Sequence, residues 1–334
     1  MANNPEVSVV MSCYNASKWL HEAIDSVLGQ TFSNFEFILV DDGSSDETWD
    51  IIQSYRSKDR RIVAISKQNT GLADSLNVGI ALAKGSWIAR LDADDLCEQT
   101  RLEMQINFVR NYPEVVLLGS GFVEIDEIGR ILKNHKYPVG HTCLVRNLEY
   151  LRGFFPHSSA FYRVDLAKAV GGYNKRIVLA EDWRLWLELS LRGCIACLPQ
   201  SLVKIRKHSG QISHEGNGRR QIVDAMAATV CHFLRKAGVA DPSTVENPDE
   251  WKMFYLWVEN QIDEASIFEK KRVWIDARTK YYSSSNKLIR IFSFVLHLLQ
   301  SRHFFFVIHE KLFGSHLPVR LSRKWIKHSN LSPL

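Results

Sequence analysis

Cysteine and proline are both scarce in this 334-residue chain, with six and nine copies. Six scattered cysteines exclude a disulfide scaffold, and 18 glycines with so few prolines exclude collagen-like or Pro/Gly low-complexity chains. Long apolar runs are missing as well. Met1 to Glu6 carries no basic residue, and the run Val7 to Met11 is too short for a signal peptide or a membrane span. A reduced, cytoplasmic protein is the expectation. The lone Cys194-Ile-Ala-Cys197 has no second pair and reads as two cysteines in a strand-like run to Leu198.

No charge of one sign dominates either, with 42 Lys plus Arg against 37 Asp plus Glu. The distribution is uneven, however. From Lys280 to Leu334, nine Lys/Arg face one acid, Glu310, among many aromatics. With 46% apolar side chains, the chain can bury a sizeable core in about two domains.

The first half alternates strand and helix signals. Val7–Ser12, Phe35–Val40, Ile62–Ile65 and Trp87–Leu91 are short apolar runs suited to buried strands. Between them, Leu20, Ala23, Ile24, Val27 and Leu28 line one helical face, with Ser17 a possible N-cap. Ser44 or Ser45 can cap a helix from Asp46 to Tyr55. Leu72, Leu76, Ile80 and Ala83 line a third helix, closed by Gly85. This alternation predicts an α/β fold with a mostly parallel sheet flanked by helices. Further on, the pattern predicts helices over 100–111 and 181–191. It predicts strands at 115–118, 122–132 (broken at 126–129), 158–162, 194–198 and 202–206. From Gln221 it is helical, with a linker at 240–249. Domains of 1–215 and 216–334 follow.

Open parallel sheets bind ligands beyond the carboxyl ends of their strands. Three polar clusters fall there: Ser12–Asn15, Asp41–Ser45 and Asp92–Asp95. Neither G-x-G-x-x-G nor a P-loop is present, which removes most support for a dinucleotide dehydrogenase or a P-loop NTPase. Paired carboxylates repel phosphates but hold a hard divalent cation that bridges to them. Asp92-x-Asp94 suits that role, although Asp-rich loops also serve as turns and caps.

Several segments, in order, carry a resemblance: Val7–Asn15, Ser26–Phe32, Val40-Asp-Asp-Gly-Ser-Ser-Asp46, Asn69-Thr-Gly71, Leu76–Ile80, Ala83-Lys-Gly85 and Leu91-Asp-Ala-Asp-Asp95. Over residues 7 to 210 the chain resembles the inverting family 2 glycosyltransferases of GT-A fold. The resemblance implies a donor site at Ser12, Tyr14, Asp42 (opposite a uracil ring), Asn69, Asp92 and Asp94. It implies a Mn2+ or Mg2+ ion at Asp94, with Asp95 in reserve, and at His208. Asp182, in the pair Glu181-Asp182, matches the general base. Ser12 stands where the family commonly has proline.

Plainer roles stay open beside these. Asp42 can end a strand and cap the turn before Ser44, and Glu181 and Asp182 suit any helix start. His208 can sit in a surface loop, and Trp183 and Trp186 in the core or an acceptor wall. The implied activity moves one sugar from a nucleotide-sugar, UDP-linked by resemblance, to a glycan or lipid-linked acceptor. The Gln-x-x-Arg-Trp signature of processive synthases is missing. The alternatives are a non-catalytic sugar-nucleotide-binding protein and a nucleotidyltransferase. The apolar runs Leu288–Leu299 and Phe304–Ile308, with the basic surplus, suit either a packed bundle or peripheral attachment to an anionic inner leaflet. No nucleic-acid module is recognisable.

Overall fold

The computed structural model describes residues 4–211, 218–267, 269 and 316–329. The chain divides into two compact units, Met1–Leu148 with Gly153–Glu215, and Glu149–Arg152 with Gly216–Leu334.

The first unit opens with β1 (Val7–Cys13), α1 (Ser17–Leu28), β2 (Phe35–Asp41), α2 (Thr48–Lys58), β3 (Ile62–Ser66), α3 (Leu72–Leu82) and β4 (Trp87–Arg90). These four strands pair in parallel, in the order β3-β2-β1-β4. All seven residues of β2 are buried, as expected of a strand covered on both faces. One face of β1 and β2, with Val9, Met11, Phe37 and Leu39, packs on Leu20, Ala23, Ile24 and Val27 of α1 and Ile52 of α2. On the other face, α3 comes so close that a Cβ on Gly79 would lie 2.4 Å from a Val10 methyl.

Two capping expectations are corrected. Ser17 is the first residue of α1, not its cap, and its N–H donates to Asp46 Oδ2 at 3.1 Å, while the N–H of Ala16 donates to Thr48 Oγ1 at 2.8 Å. The helix is therefore capped from the β2–α2 connection. α2 starts at Thr48, because Ser44 and Ser45 bond to Asn15 instead. Gly85 does not close α3, which ends at Leu82 with Ala83 as its C-cap. It lies against β1, where a Cβ would sit 2.7 Å from the Ser8 nitrogen.

Beyond β4 the sheet becomes mixed. β5 (Leu96–Cys97), α4 (Arg101–Asn111), β6 (Val115–Ile125), β7 (Ile131–His135), α5 (His141–Glu149), β8 (Phe161–Arg163), α6 (Val164–Ala169), α7 (Glu181–Leu189) and β9 (Cys194–Arg206) follow. The full order is β3-β2-β1-β4-β8-β6-β9-β5, with β7 hairpinned onto β6. β8 runs antiparallel to both β4 and β6, whereas β6 and β9 are parallel. The strand expected at 115–118 and the first part of that expected at 122–132 are one strand, the expected break at 126–129 is the turn into β7, and the strands at 194–198 and 202–206 are also one. The apparent break at Gly119–Gly121 is a packing demand. A Cβ on Gly119 would enter the Phe155 ring, and one on Gly121 would meet His135 O at 2.9 Å. Ser158 and Ser159 lie in a 3-10 turn, not in β8. Cys194 and Cys197 are free thiols on β9.

The second unit contains α8 (Arg219–Lys236), α9 (Pro248–Glu264) and α10 (Leu317–His328). Its core joins Met226, Val230, Phe254, Val258 and Leu321. Asn247 caps α9 through a 3.0 Å bond from the Asp249 N–H, with Pro248 in the first turn, where no N–H is needed. Among the described residues, no helix is long and apolar enough to cross a membrane. The runs Leu288–Leu299 and Phe304–Ile308, like most of the stretch from Gly210 to Arg219, lie outside the described residues.

Candidate active site

The parallel strands bring the three polar clusters to one sheet edge. Cys13 pairs with Asp41 in register, and the Asp42 N–H donates to Cys13 O at 2.8 Å. Arg90 pairs with Val10, and Leu91 N–H donates to Val10 O, so the acid loop starts beside β1.

Asp42 is buried, and its carboxylate accepts the backbone N–H of Thr70 at 3.0 Å and of Gly71 at 2.9 Å, plus the Lys67 ammonium. It fixes the loop that carries the exposed Asn69. The turn before Ser44 is closed by Asp41, whose Oδ1 accepts the Ser44 N–H at 3.2 Å. Ser12 is half-buried and Tyr14 exposed beside this loop's edge of the sheet. Asn15 takes a left-handed φ of 47°, a conformation that asparagine tolerates, and its Oδ1 accepts the Ser45 N–H at 2.9 Å.

The acids after β4 are ordered by buried cations. Asp92, Asp94 and Asp95 each offer an oxygen within 4.8 Å of the others. Asp92 pairs with the fully buried Arg90 and accepts Ser158 Oγ at 2.8 Å. Ser158 Oγ also lies 2.5 Å from Asp95 Oδ2. Burial, with the charges of Asp94 and Asp92, holds Asp95 well above the usual carboxylate range.

Asp94 is the freer ligand. Its Oδ2 lies 2.8 Å from His208 Nε2, and the His208 ring packs on Trp19 at 4.3 Å between centroids. Burial and the Asp92 charge raise the Asp94 carboxyl, while His208 opposes the shift. Two ligands each about 2.1 Å from one ion, at right angles, lie about 3 Å apart. The Asp94–His208 separation and the hard oxygens of Asp92 therefore fit one divalent cation.

Glu181 and Asp182 open α7, where a helix N-terminus favours anions. Both carboxyls are nonetheless raised. For Glu181 the cause is burial and then the neighbouring Asp182 charge, and for Asp182 chiefly burial. The charges of Arg90 and Asp92 act on both residues, which puts the pair in the electrostatic field of the acid loop. Glu181 lies 3.8 Å from the partly buried His157, whose Nε2 is 2.7 Å from the Tyr173 hydroxyl. Trp186 packs edge-on to His157 and Tyr162 and is core, while Trp183 is half-buried.

Arg90, Ser158 and Arg206 were missed in the sequence. Arg206 is fully buried. Its Nε donates to Asp94 O at 3.0 Å and its backbone N–H to Asp95 Oδ1 at 2.9 Å, tying the end of β9 to the acid loop. The available signal for the two arginines was their place at the ends of the apolar strands β4 and β9, just before polar clusters.

The sequence profile of Glycosyl transferase family 2 matches residues 8–171. The amylovoran biosynthesis glycosyltransferase AmsE of Erwinia amylovora is 30% identical over 210 residues, covering 62% of this chain and 78% of that relative. The crystal structure of S. aureus TarS 1-349 in complex with UDP-GlcNAc superposes with a TM-score of 0.58 at 20% identity, over 88% of this chain and 79% of that one. The mannosyltransferase PcManGT from Pyrobaculum calidifontis, in complex with GDP-Man and Mn2+, gives a TM-score of 0.53 at 15% identity, over 98% and 89%. The GT-A fold of these neighbours is the fold of this chain, and the chain belongs to the family 2 glycosyltransferases.

Proposed function

We propose that this glycosyltransferase moves one hexosyl or N-acetylhexosaminyl unit, with inversion, from a UDP-sugar to a hydroxyl of a glycan or lipid-linked oligosaccharide during surface polysaccharide synthesis. One observation carries the reading: Asp94 meets His208 at 2.8 Å beside Asp92, and the turn that holds Asp92 through Ser158 brings His157 to 3.8 Å from Glu181, the neighbour of Asp182. The amylovoran relative supports the polysaccharide setting, and the two solved neighbours support nucleotide-sugar donors.

In this reading Asp42, Asn69, Ser12 and Tyr14 line the nucleoside side, and Asp92 and Asp94 the ribose and diphosphate side. Asp94 and His208 would hold a divalent ion, Mn2+ or Mg2+, with Asp95 in reserve. Such an ion supplies Lewis-acid stabilisation of the leaving diphosphate. Asp182 removes the proton from the acceptor hydroxyl, whose oxygen attacks the anomeric carbon opposite the departing diphosphate. The transition state has oxocarbenium character. The raised carboxyl suits a base, because a carboxylate of ordinary pKa holds its proton too weakly.

Residues 1–215 would carry donor binding and catalysis. Residues 216–334 would contribute acceptor or peripheral membrane contact on the cytoplasmic side, with Arg320, Arg323, Lys324 and Lys327 exposed on α10. The test is hydrolysis and transfer across a panel of UDP-, GDP- and dTDP-sugars, with and without Mn2+. A Mn2+-dependent turnover of one UDP-sugar is expected, and turnover unaffected by chelation overturns the metal assignment.

A further inference from the structure

The hairpin joining β6 to β7 is unusually bare. Every residue from Glu127 to Asn134 is exposed, and Ile128, Ile131 and Leu132 keep 75%, 72% and 56% of their surface. Its tip is nevertheless firmly folded. Asp126 Oδ1 accepts the N–H groups of Ile128 at 3.1 Å and Arg130 at 2.8 Å, and Gly129 supplies the left-handed φ of 86° that closes the turn. At its base, His135 stacks on Phe122.

We infer that this hairpin is a wedge that inserts into the surface of an anionic bilayer and sets the acid cluster at the lipid interface. Ile131 and Leu132 are consecutive in a strand and so project from opposite faces, with Ile128 at the turn between them. A flat protein partner covers one face of such a ribbon, whereas hydrocarbon surrounds both. The charges point the same way. Asp126 and Glu127 are paired with Arg130 and Lys18, while the exposed Lys133 and Lys136 make no ion pair among the described residues. They complement anionic headgroups on either side of an inserted tip.

The wedge rises from the rim of the candidate site. The Arg206 guanidinium donates to Asp94 O at 3.0 Å and to Glu127 O at 2.9 Å, and Trp19, which packs on His208, donates to Glu127 O at 3.3 Å. The inference deepens the proposed transfer by making the acceptor a lipid-linked one, and it rests on that transfer for its purpose alone, because insertion needs no turnover.

The test uses the full chain in flotation with phosphatidylglycerol/phosphatidylcholine vesicles and with phosphatidylcholine alone. Flotation on the anionic vesicles is expected, falling on the order of a hundredfold in partition for Ile128→Ser/Ile131→Ser/Leu132→Ser. Lys133→Gln/Lys136→Gln should lose on the order of tenfold on anionic vesicles only. An Ile131→Trp variant should show a blue-shifted emission when vesicles are added. Binding of UDP, measured separately, should be unchanged in all of these variants. Failure of the transfer reading would appear in that donor assay and leave flotation intact. Unchanged flotation of the triple serine variant, no emission shift, or a dimer that the serine variant dissolves would each overturn the wedge.

Discussion

His208 Nε2 and Asp94 Oδ2 lie 2.8 Å apart although 114 positions separate them in the chain. β9 delivers the histidine and β4 the acid, so the contact closes only when both halves of the sheet are assembled. Mn2+ should raise the melting temperature of the wild-type protein and leave Asp94→Asn unmoved. His208→Ala should weaken Mn2+ binding roughly 10- to 100-fold, read by calorimetric titration in the presence of UDP.

Asp182→Asn should lower transfer by ~10²–10⁴-fold while leaving the affinity for UDP within experimental error. Near-normal turnover in that variant excludes Asp182 as the base.

The acid limb of the rate profile should lie above the ordinary carboxylate range. Burial raises Asp182, and a base works only when deprotonated, so activity falls as pH drops through that raised value. A kcat/KM profile from pH 3 to 9 reads it, and a limb near the ordinary carboxylate value of 3.8 contradicts the assignment.

Glu181 bears on stability with a defined sign. Its folded-state pKa is raised well above 4.5, so the folded protein binds the proton more tightly than the unfolded chain. That contribution is complete below 4.5 and is lost as pH rises through the folded value. Glu181→Gln should therefore melt higher than wild type at neutral pH, with the advantage shrinking toward pH 4.

Asp46 has the opposite sign. Burial alone would raise it, but hydrogen bonds from Thr48 and Ser17 outweigh that and bring it to about 2. Its capping of α1 is present above the unfolded value of 3.8 and fades as pH falls toward 2. Asp46→Ala should cost about 0.5–2 kcal/mol in urea unfolding at neutral pH, and much less at pH 2.

The parallel half of the sheet was legible because buried strands and amphipathic helices write different periods, and Val7–Cys13 and Leu20–Val27 show both. The acid clusters were legible because polar residues end apolar runs. What escaped depends on partners distant in sequence. The glycines at 119 and 121 read as a break until Phe155 and His135 are seen beside them. The cap of α1 comes from Asp46, not from the adjacent serine. Arg90 and Arg206 looked like ordinary strand ends, and only their burial against Asp92 and Asp94 reveals them as organisers.

The anchoring of the 67–71 loop has a corollary for donor choice. Asp42 grips that segment through the amides of Thr70 and Gly71, groups that every substitution except proline preserves. The outward side chains of Gln68 and Asn69 are thus free to be exchanged without reshaping the frame beneath them. If Asn69 lines the nucleoside side as proposed, selectivity among nucleobases would drift at those two positions while the scaffold that presents them stays put.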